Sequence, residues 1–223
     1  MSKISAIIRV KNEEANIGFC IQSILNIFDF PEIIIVNNNS DDESMNIVKH
    51  FEKDSSLNSD DRRYTKIKIV NISDYTPGKA LNLGIKHTTQ KYCLIISAHC
   101  KIIKFDLQKN IRNLDDNVAV FGKQIPIWNG KKITRRYIWS NFGENNKVNY
   151  FSKQENRYFF HNGFSFFKKK TLIDFPFNEN LTSKEDRYWA QNIIENKGMN
   201  ILYYSKNLAE HYFTKNGATW KSI

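Results

Sequence analysis

The first stretch with the makings of chemistry is Ser97-Ala98-His99, set directly after the apolar run Tyr92-Cys93-Leu94-Ile95-Ile96 and before Cys100. Histidine changes charge near neutral pH and is the commonest metal ligand among side chains. A short, unbroken apolar run is what a strand buried on both faces of a parallel sheet requires. In open α/β sheets, ligands bind outside the carboxyl ends of the strands. His99 therefore stands where such a sheet would meet a ligand. A histidine that only closes a strand would give the same local pattern, so the rest of the chain has to decide between the two.

The elements that would position this tripeptide are readable on its N-terminal side. Residues 4–10 form a predicted buried strand that runs into Lys11-Asn12-Glu13-Glu14. Ile17, Cys20, Ile21, Ile24, Leu25 and Phe28 then recur at helical spacing up to Pro31. Residues 32–36 are a second β-branched run, ending in Asn37-Asn38-Asn39-Ser40-Asp41-Asp42, a turn that leads to a helix N-cap. A helix through Met45, Ile47, Val48 and Phe51 follows, then a polar loop over 54–63. Residues 67–72 are a third strand. A turn at Asp74-Tyr75-Thr76-Pro77-Gly78-Lys79 opens a helix over 80–87. Strand alternating with helix predicts a single α/β domain with a doubly wound, parallel sheet.

Beyond Cys100 the rhythm changes. Residues 118–121 read as a strand entering Gly122-Lys123-Gln124-Ile125-Pro126. Residues 128–157 are rich in Trp, Tyr, Asn and Lys without a clean period, as functional loop regions often are. Residues 158–167 are expected to be a strand carrying His161-Asn162-Gly163. Ser183-Lys184-Glu185-Asp186 opens a helix with Tyr188, Trp189, Ile193 and Ile194, stopped by Gly198. Residues 200–204 are a last strand, and His211 follows in an aromatic tail.

Composition bounds the function. The chain has 223 residues, 41% hydrophobic and 25% charged, enough for one domain with a sizeable core. No stretch approaches the roughly 20 apolar residues of a membrane span. Met1-Ser2-Lys3-Ile4 lacks the apolar core of a signal peptide, so a cytoplasmic location is expected. Cys20, Cys93 and Cys100 have no metal-site spacing; Cys20 and Cys93 read as buried thiols, and nothing marks Cys100, beside the proposed site, as a nucleophile. The net charge of +10 favours an anionic partner. Lys131, Lys132, Arg135 and Arg136 form one basic cluster and Lys168-Lys169-Lys170 another, though solvated surface is the better reading of either taken singly. No nucleic-acid motif accompanies them, which argues against a nucleic-acid partner.

Five stretches in order resemble the family 2 glycosyltransferases of the GT-A fold, an inverting, nucleotide-sugar-dependent class. They are Ile7-Ile8-Arg9-Val10-Lys11-Asn12-Glu13-Glu14, the run from Glu32 to Asp42, Gly78-Lys79-Ala80-Leu81-Asn82-Leu83-Gly84, Ser97-Ala98-His99, and Lys184-Glu185-Asp186. The resemblance spans nearly the whole chain and implies a GT-A sheet within a single domain, 1–223. Residues 1–100 would form the nucleotide-sugar half, and 101–223 the acceptor-binding and catalytic half. It implies that Arg9, Glu13, Asn37, Asn38 and Asp42 hold the donor's base and ribose. Lys79 and Asn82 would meet its phosphates at a helix N-terminus, where free N–H groups suit anions.

The family's usual Asp-x-Asp is replaced here by Ser97, Ala98 and His99, which stay implied donor contacts. His99 with His211 would then form the metal site. Imidazoles suit Mn2+ better than Mg2+, which prefers oxygen; the alternative is that Lys and Arg neutralise the phosphates without a metal. Asp186 falls on the catalytic acidic motif as general base, and Gln124, His161, Asn162, Glu185 and Trp189 fall on the acceptor side. The implied acceptor is a saccharide or lipid-linked hydroxyl, and the basic charge suits peripheral contact with an anionic membrane. Two other readings compete. One is a nucleotide- or glycan-binding module that has lost its metal site. The other is a nucleotidyltransferase, which would need a Gly-rich basic loop where Asn12-Glu13-Glu14-Ala15 stands.

Overall fold

Strand β1 (Ile4–Val10) is buried along its length, and its side chains alternate between two apolar clusters. Ala6, Ile8 and Val10 enter one cluster and Ile7 the other. Such a strand has no polar face because both faces are covered. The computed structural model describes residues 4–56, 65–133 and 137–215. Helix α1 (Ile17–Ile27) covers the first face with Ile17, Cys20, Ile21 and Ile24. β2 (Glu32–Asn37), α2 (Ser44–Ser56), β3 (Lys66–Asn71) and α3 (Pro77–His87) follow. α3 covers the second face with Ala80, Leu81 and Ile85. It approaches so closely that a Cβ on Gly84 would stand 2.6 Å from Ile7 Cγ2. β4 (Tyr92–Ser97) then pairs with β1 in parallel register, Ser97 opposite Arg9.

The second half is built differently. Its elements are β5 (Cys100–Lys104), α4 (Leu107–Asp116), β6 (Ala119–Trp128), β7 (Lys131–Lys132), α5 (Tyr137–Ser140), β8 (Lys147–Val148), β9 (Phe151–Ser152), β10 (Arg157–Tyr158), β11 (Phe164–Lys168), α6 (Lys169–Asp174), α7 (Glu185–Gln191) and β12 (Ile201–Tyr212). A single π-helical turn, Asn192–Asn196, extends α7. The main sheet runs β3-β2-β1-β4-β11-β6-β12-β5, with β7 on β6 and β8 on β12; β9 and β10 make a separate hairpin. β2, β1 and β4 pair in parallel, as do β6 and β12. β11 is antiparallel to both β4 and β6, and β12 is antiparallel to β5. The fold is thus a mixed α/β sheet with flanking helices, its parallel part matching the expected doubly wound half.

Several expectations for the second half need correction. The strand expected over 158–167 is split: β10 ends at Tyr158, β11 starts at Phe164, and His161-Asn162-Gly163 lies in the loop between them. The strand expected over 200–204 continues to Tyr212, so His211 sits inside β12 and not in a tail. Lys168, Lys169 and Lys170 end β11 and open α6, and all three are engaged within the chain, with Asp115, the Thr88 carbonyl and Asp174. Lys131 and Lys132 are exposed. Arg135 and Arg136 lie outside the described residues, as does most of the polar loop expected over 54–63; its first residues belong to α2. Among the described residues, no helix is long and apolar enough to cross a membrane.

Candidate functional site

The carboxyl ends of β1, β2 and β4 point to one edge of the sheet, and the loop between β10 and β11 closes against that edge. Ser97 donates its N–H to the Gly163 carbonyl at 3.0 Å. Asn162, next in the loop, reaches the opposite way: its backbone N–H lies 3.3 Å from Asp186 Oδ2, and its Nδ2 donates to Glu185 Oε1 at 3.1 Å. His161-Asn162-Gly163 therefore joins the end of β4 to the start of α7. Arg9, at the end of β1, ties the same helix start to the sheet through a 3.0 Å ion pair with Glu185.

Lys184, immediately before α7, has φ of 60°. That is the left-handed region, uncommon for a residue with a side chain. It turns the chain so that Glu185 and Asp186 both enter the buried edge, at 6% and 8% exposure. Asp186 accepts from the Arg187 N–H at 2.8 Å through Oδ1 and from Arg187 Nη1 at 3.0 Å through Oδ2. Arg187 also pairs with Glu155 at 3.1 Å and packs over the Phe159 ring. Buried charges are tolerated when paired and hydrogen-bonded, and each member of this set is. Glu155 comes from the aperiodic 128–157 region, and nothing in its local sequence distinguishes it from other surface acids.

Beside the acidic pair lie three histidines. His99 Nδ1 is 2.9 Å from Glu13 Oε1. The His99 and His211 ring centroids are 4.7 Å apart, and those of His161 and His211 5.9 Å. Gln124, 1% exposed, bridges the last two: its Oε1 is 2.7 Å from His211 Nδ1 and its Nε2 is 3.0 Å from His161 Nδ1. Burial, with help from Arg187, pushes His161 well below the ordinary imidazole range; burial and the neighbouring histidines do the same to His211. Sequence spacing could not have paired Glu13 with His99, 86 positions away. Glu13 Oε2 is buried and has no hydrogen-bond partner, which leaves a carboxylate oxygen beside the imidazole pair.

Other expected site residues are held in structural roles. Asp42 accepts from the Glu14 and Ser44 backbone N–H groups, at 3.0 Å each. Burial pushes its carboxyl up, but the hydrogen bonds from Ser44 and Glu14 together outweigh it and keep Asp42 below the usual carboxylate range. Asn82 is buried, and its amide clasps the Phe177 carbonyl and N–H, at 2.8 and 3.0 Å, and Glu179. It ties α3 to the segment ahead of α7 and does not face an open cleft. Lys79 is ion-paired with Asp74, and Thr76 caps α3. Trp189 is 4% exposed among Phe160, Phe167 and Phe177, and its indole donates to the Phe175 carbonyl at 2.7 Å. It packs the second cluster instead of lining an acceptor surface. Asn38 and Ala98 sit at the sheet edge, Asn38 through its N–H to the Val10 carbonyl.

Asn37 is more informative. Its Oδ1 accepts from the Ser40 N–H at 3.0 Å, which fixes the amide orientation, and its Nδ2 donates to Asn71 Oδ1 at 2.9 Å. Cys20, Cys93 and Cys100 are free and buried, and burial raises all three thiols. Such thiols are poor nucleophiles.

Residues 5–175 match the family model described as Glycosyl transferase family 2. No curated protein matches the chain. Among solved structures, S. aureus TarS 1-349 in complex with UDP-GlcNAc aligns with a TM-score of 0.71 at 19% identity, over 100% of this chain and 62% of that one. The same TarS fragment in complex with UDP gives 0.69 at 19% identity, over 96% and 61%. GalNAc-T7 with UDP, GalNAc and Mn2+ gives 0.70 at 11% identity, over 96% and 44%. At these identities the likeness is one of fold. The chain spans about three fifths of the TarS fragment and less than half of GalNAc-T7.

Proposed function

The chain belongs to glycosyl transferase family 2, and from that membership we propose that it transfers a sugar from a nucleotide-sugar donor to an acceptor hydroxyl with inversion, Asp186 acting as general base. The observation that carries this reading is the buried meeting of Glu185 and Asp186 with Arg9, Asn162 and Ser97 at the sheet edge where ligands bind in α/β folds. Inverting transfer needs one carboxylate to accept the acceptor's proton as the hydroxyl attacks. Asp186 Oδ1 keeps a second lone pair for that task, while Oδ2 is taken by the Asn162 N–H and the Arg187 guanidinium, which hold its orientation. In this reading the donor belongs to the 1–100 half and the acceptor to the 101–223 half, as the resemblance implies. A saccharide or lipid-linked acceptor, polysaccharide synthesis, a cytoplasmic setting and peripheral membrane contact remain parts of this proposal and rest on the resemblance and the +10 charge.

The donor base is proposed to be uracil. One Asn37 Nδ2 hydrogen is given to Asn71 and one Oδ1 lone pair to the Ser40 N–H, so the amide keeps one acceptor and one donor site, and the accepting Oδ1 is the one that suits uracil. Uracil presents an N–H at N3, whereas cytosine presents an acceptor there. TarS and GalNAc-T7 were each solved with UDP, which agrees.

A divalent metal fits the residues present. His99 and His211 would hold it through imidazole nitrogens, with the Glu13 carboxylate behind His99, and that donor set suits Mn2+ over Mg2+. When bound it would neutralise the donor diphosphate. Among the described residues no group of three or more His, Cys, Asp or Glu is placed to hold a metal ion, so with two imidazoles the donor oxygens and water would have to supply the rest of the shell.

The test is donor turnover by the purified chain with uridine and cytidine nucleotide sugars, alongside calorimetric titration of UDP, CDP and CMP. Release of UDP from a uridine donor, abolished in Asp186→Asn, supports the reading. UDP binding without turnover of any donor would instead favour the binding-module alternative.

A further inference from the structure

The histidine cluster contains a hydrogen-bond chain whose direction can be worked out from one end. Gly163 N–H donates to His161 Nδ1 at 3.2 Å. A backbone N–H can only donate, so His161 Nδ1 must be the lone-pair nitrogen, and the ring carries its hydrogen on Nε2. Gln124, 3.0 Å from the same nitrogen, must then present its NH2 group there. That turns the Gln124 carbonyl oxygen toward His211 Nδ1, 2.7 Å away, and an oxygen acceptor requires Nδ1–H. His211 is thereby left with its lone pair on Nε2. His161 is a neutral ring because its Nδ1 accepts; His211 is fully buried, and as a neutral imidazole it has a single N–H to assign.

We propose that Gln124 is a positioning residue: with His161 and the Gly163 backbone it locks His211 in the Nδ1–H form, so that Nε2 is the electron-pair donor beside His99. His99 is oriented independently, by Glu13 Oε1 at its own Nδ1. The two neighbouring imidazoles are thus set to the same tautomer by different means, one by a carboxylate and one by an amide. A pair of Nε2 donors is what a shared cation needs, and partners at the far nitrogen of a metal-binding histidine fix its orientation and basicity. The lock follows from the geometry alone; its use in holding a cation at the donor diphosphate rests on the glycosyltransferase reading above. Gly163 is part of the device. A Cβ there would stand 2.9 Å from the His161 ring and 3.0 Å from Gln124 Oε1.

The tautomers are read directly by 15N–1H long-range NMR of the metal-free chain labelled at histidine. His211 is expected as Nδ1–H and His161 as Nε2–H. His211 found as Nε2–H overturns the proposal without any variant. Gln124→Met removes both partners, and His211 should revert to a mixture dominated by Nε2–H, the form usual for free imidazole. Gln124→Glu keeps an oxygen facing His211 Nδ1 and should keep its Nδ1–H form while disturbing His161. A merely structural glutamine would lower the melting temperature in both variants and leave the His211 tautomer alone, which also overturns the proposal. Titration with Mn2+ alone, followed by electron paramagnetic resonance, gives a separate readout. Gln124→Met should bind about 10–100-fold more weakly than wild type, the usual effect of losing such a partner, and Gln124→Glu should bind near wild type. If the tautomers behave as expected and Mn2+ affinity is unchanged in Gln124→Met, the positioning role toward a cation is wrong even though the lock exists.

Discussion

Two polar constructions stand side by side at the carboxyl edge of the sheet. The first joins the loops after β1 and β2: Asn12 N–H to Ser40 Oγ, Glu13 N–H to Ser44 Oγ, Glu14 N–H to Asp42, and Glu43 N–H back to Glu14. Its bonds are backbone N–H groups meeting short side chains, mostly near solvent, between loops about 30 residues apart. The second is the centre of Arg9, Asn162, Glu185, Asp186, Arg187 and Glu155. Its members are charged or amide side chains, largely buried, and Arg9 and Glu185 are 176 positions apart. The first closes two helix starts, and any small oxygen-bearing residue does that adequately. The second keeps charge out of water, which is tolerated only while every partner is present. The first construction thus rests on many small, replaceable contacts, and the second on a few that are not replaceable.

That contrast can be broken by substitution. The largest effect is expected from Asp186→Asn, with transfer reduced about 10²–10⁴-fold, the usual contribution of general base catalysis. UDP affinity, measured by calorimetry, should stay within a few-fold of wild type; near-normal turnover would remove Asp186 from its role. Next is Arg187→Met, which strands Glu155 and Asp186. Its cost should be roughly 3–5 kcal/mol in denaturant unfolding, as for other broken buried pairs. A loss under about 1 kcal/mol would mean that the centre behaves like a surface pair.

The third prediction concerns acid. His161 and His211 resist protonation in the folded chain, while in the unfolded chain they titrate near the ordinary value of about 6.5. Above that pH neither state holds the proton and no difference arises. Below it the unfolded state gains protons that the native state refuses, so stability falls as pH falls, by up to about 1.4 kcal/mol per pH unit for each ring. Melting curves of wild type and His161→Gln, recorded with chelator between pH 7.5 and 5, should diverge on the acid side, with wild type steeper. Parallel curves would contradict the depressed basicity.

The smallest effect belongs to the loop pair. Asp42→Ala should lower stability by about 1 kcal/mol, the usual cost of a lost helix cap, and leave turnover of the folded enzyme nearly unchanged. Should it instead abolish UDP binding at an unchanged melting temperature, the two constructions are one site, and the resemblance was right about Asp42 where its hydrogen bonds suggest otherwise.

The first half of the sheet was legible because burial on both faces leaves mainly apolar residues, many of them isoleucine, in the middles of β1, β2 and β4. β5 escaped notice as five residues at the sheet edge with Ile103 exposed. α4 was missed because only Asn110 and Leu114 are buried in it, too thin an apolar stripe to show a helical period. β12 seemed to end at Tyr204 because Ser205-Lys206-Asn207 is polar. There the register shifts, and Asn207 exchanges amide hydrogen bonds with Asn110 at 2.8 Å each way, a buried pairing that only the fold brings together. At the site, Asp186 and His99 could be singled out from order along the chain. The resemblance points to Glu13 and Gln124 for donor and acceptor contacts, not for holding the histidines, and nothing singles out Glu155, because each acts through a partner that is distant in sequence.

β12 has a consequence for how the molecule comes into being. It is a late strand in the sequence, yet it lies inside the sheet, parallel to β6 and antiparallel to β5. Until residues 201–212 have been made, β5 has no strand beside it and β6 lacks its longest neighbour. Open edges of this kind invite pairing with other chains, and contacts between distant segments form slowly. His211 arrives on that same strand and meets His99 only when it docks, through the Tyr212 N–H to the His99 carbonyl at 2.8 Å. A chain still emerging from the ribosome can thus hold the folded parallel part of the sheet without the finished histidine pair, and the step that seals the sheet against aggregation is the step that brings His211 to His99.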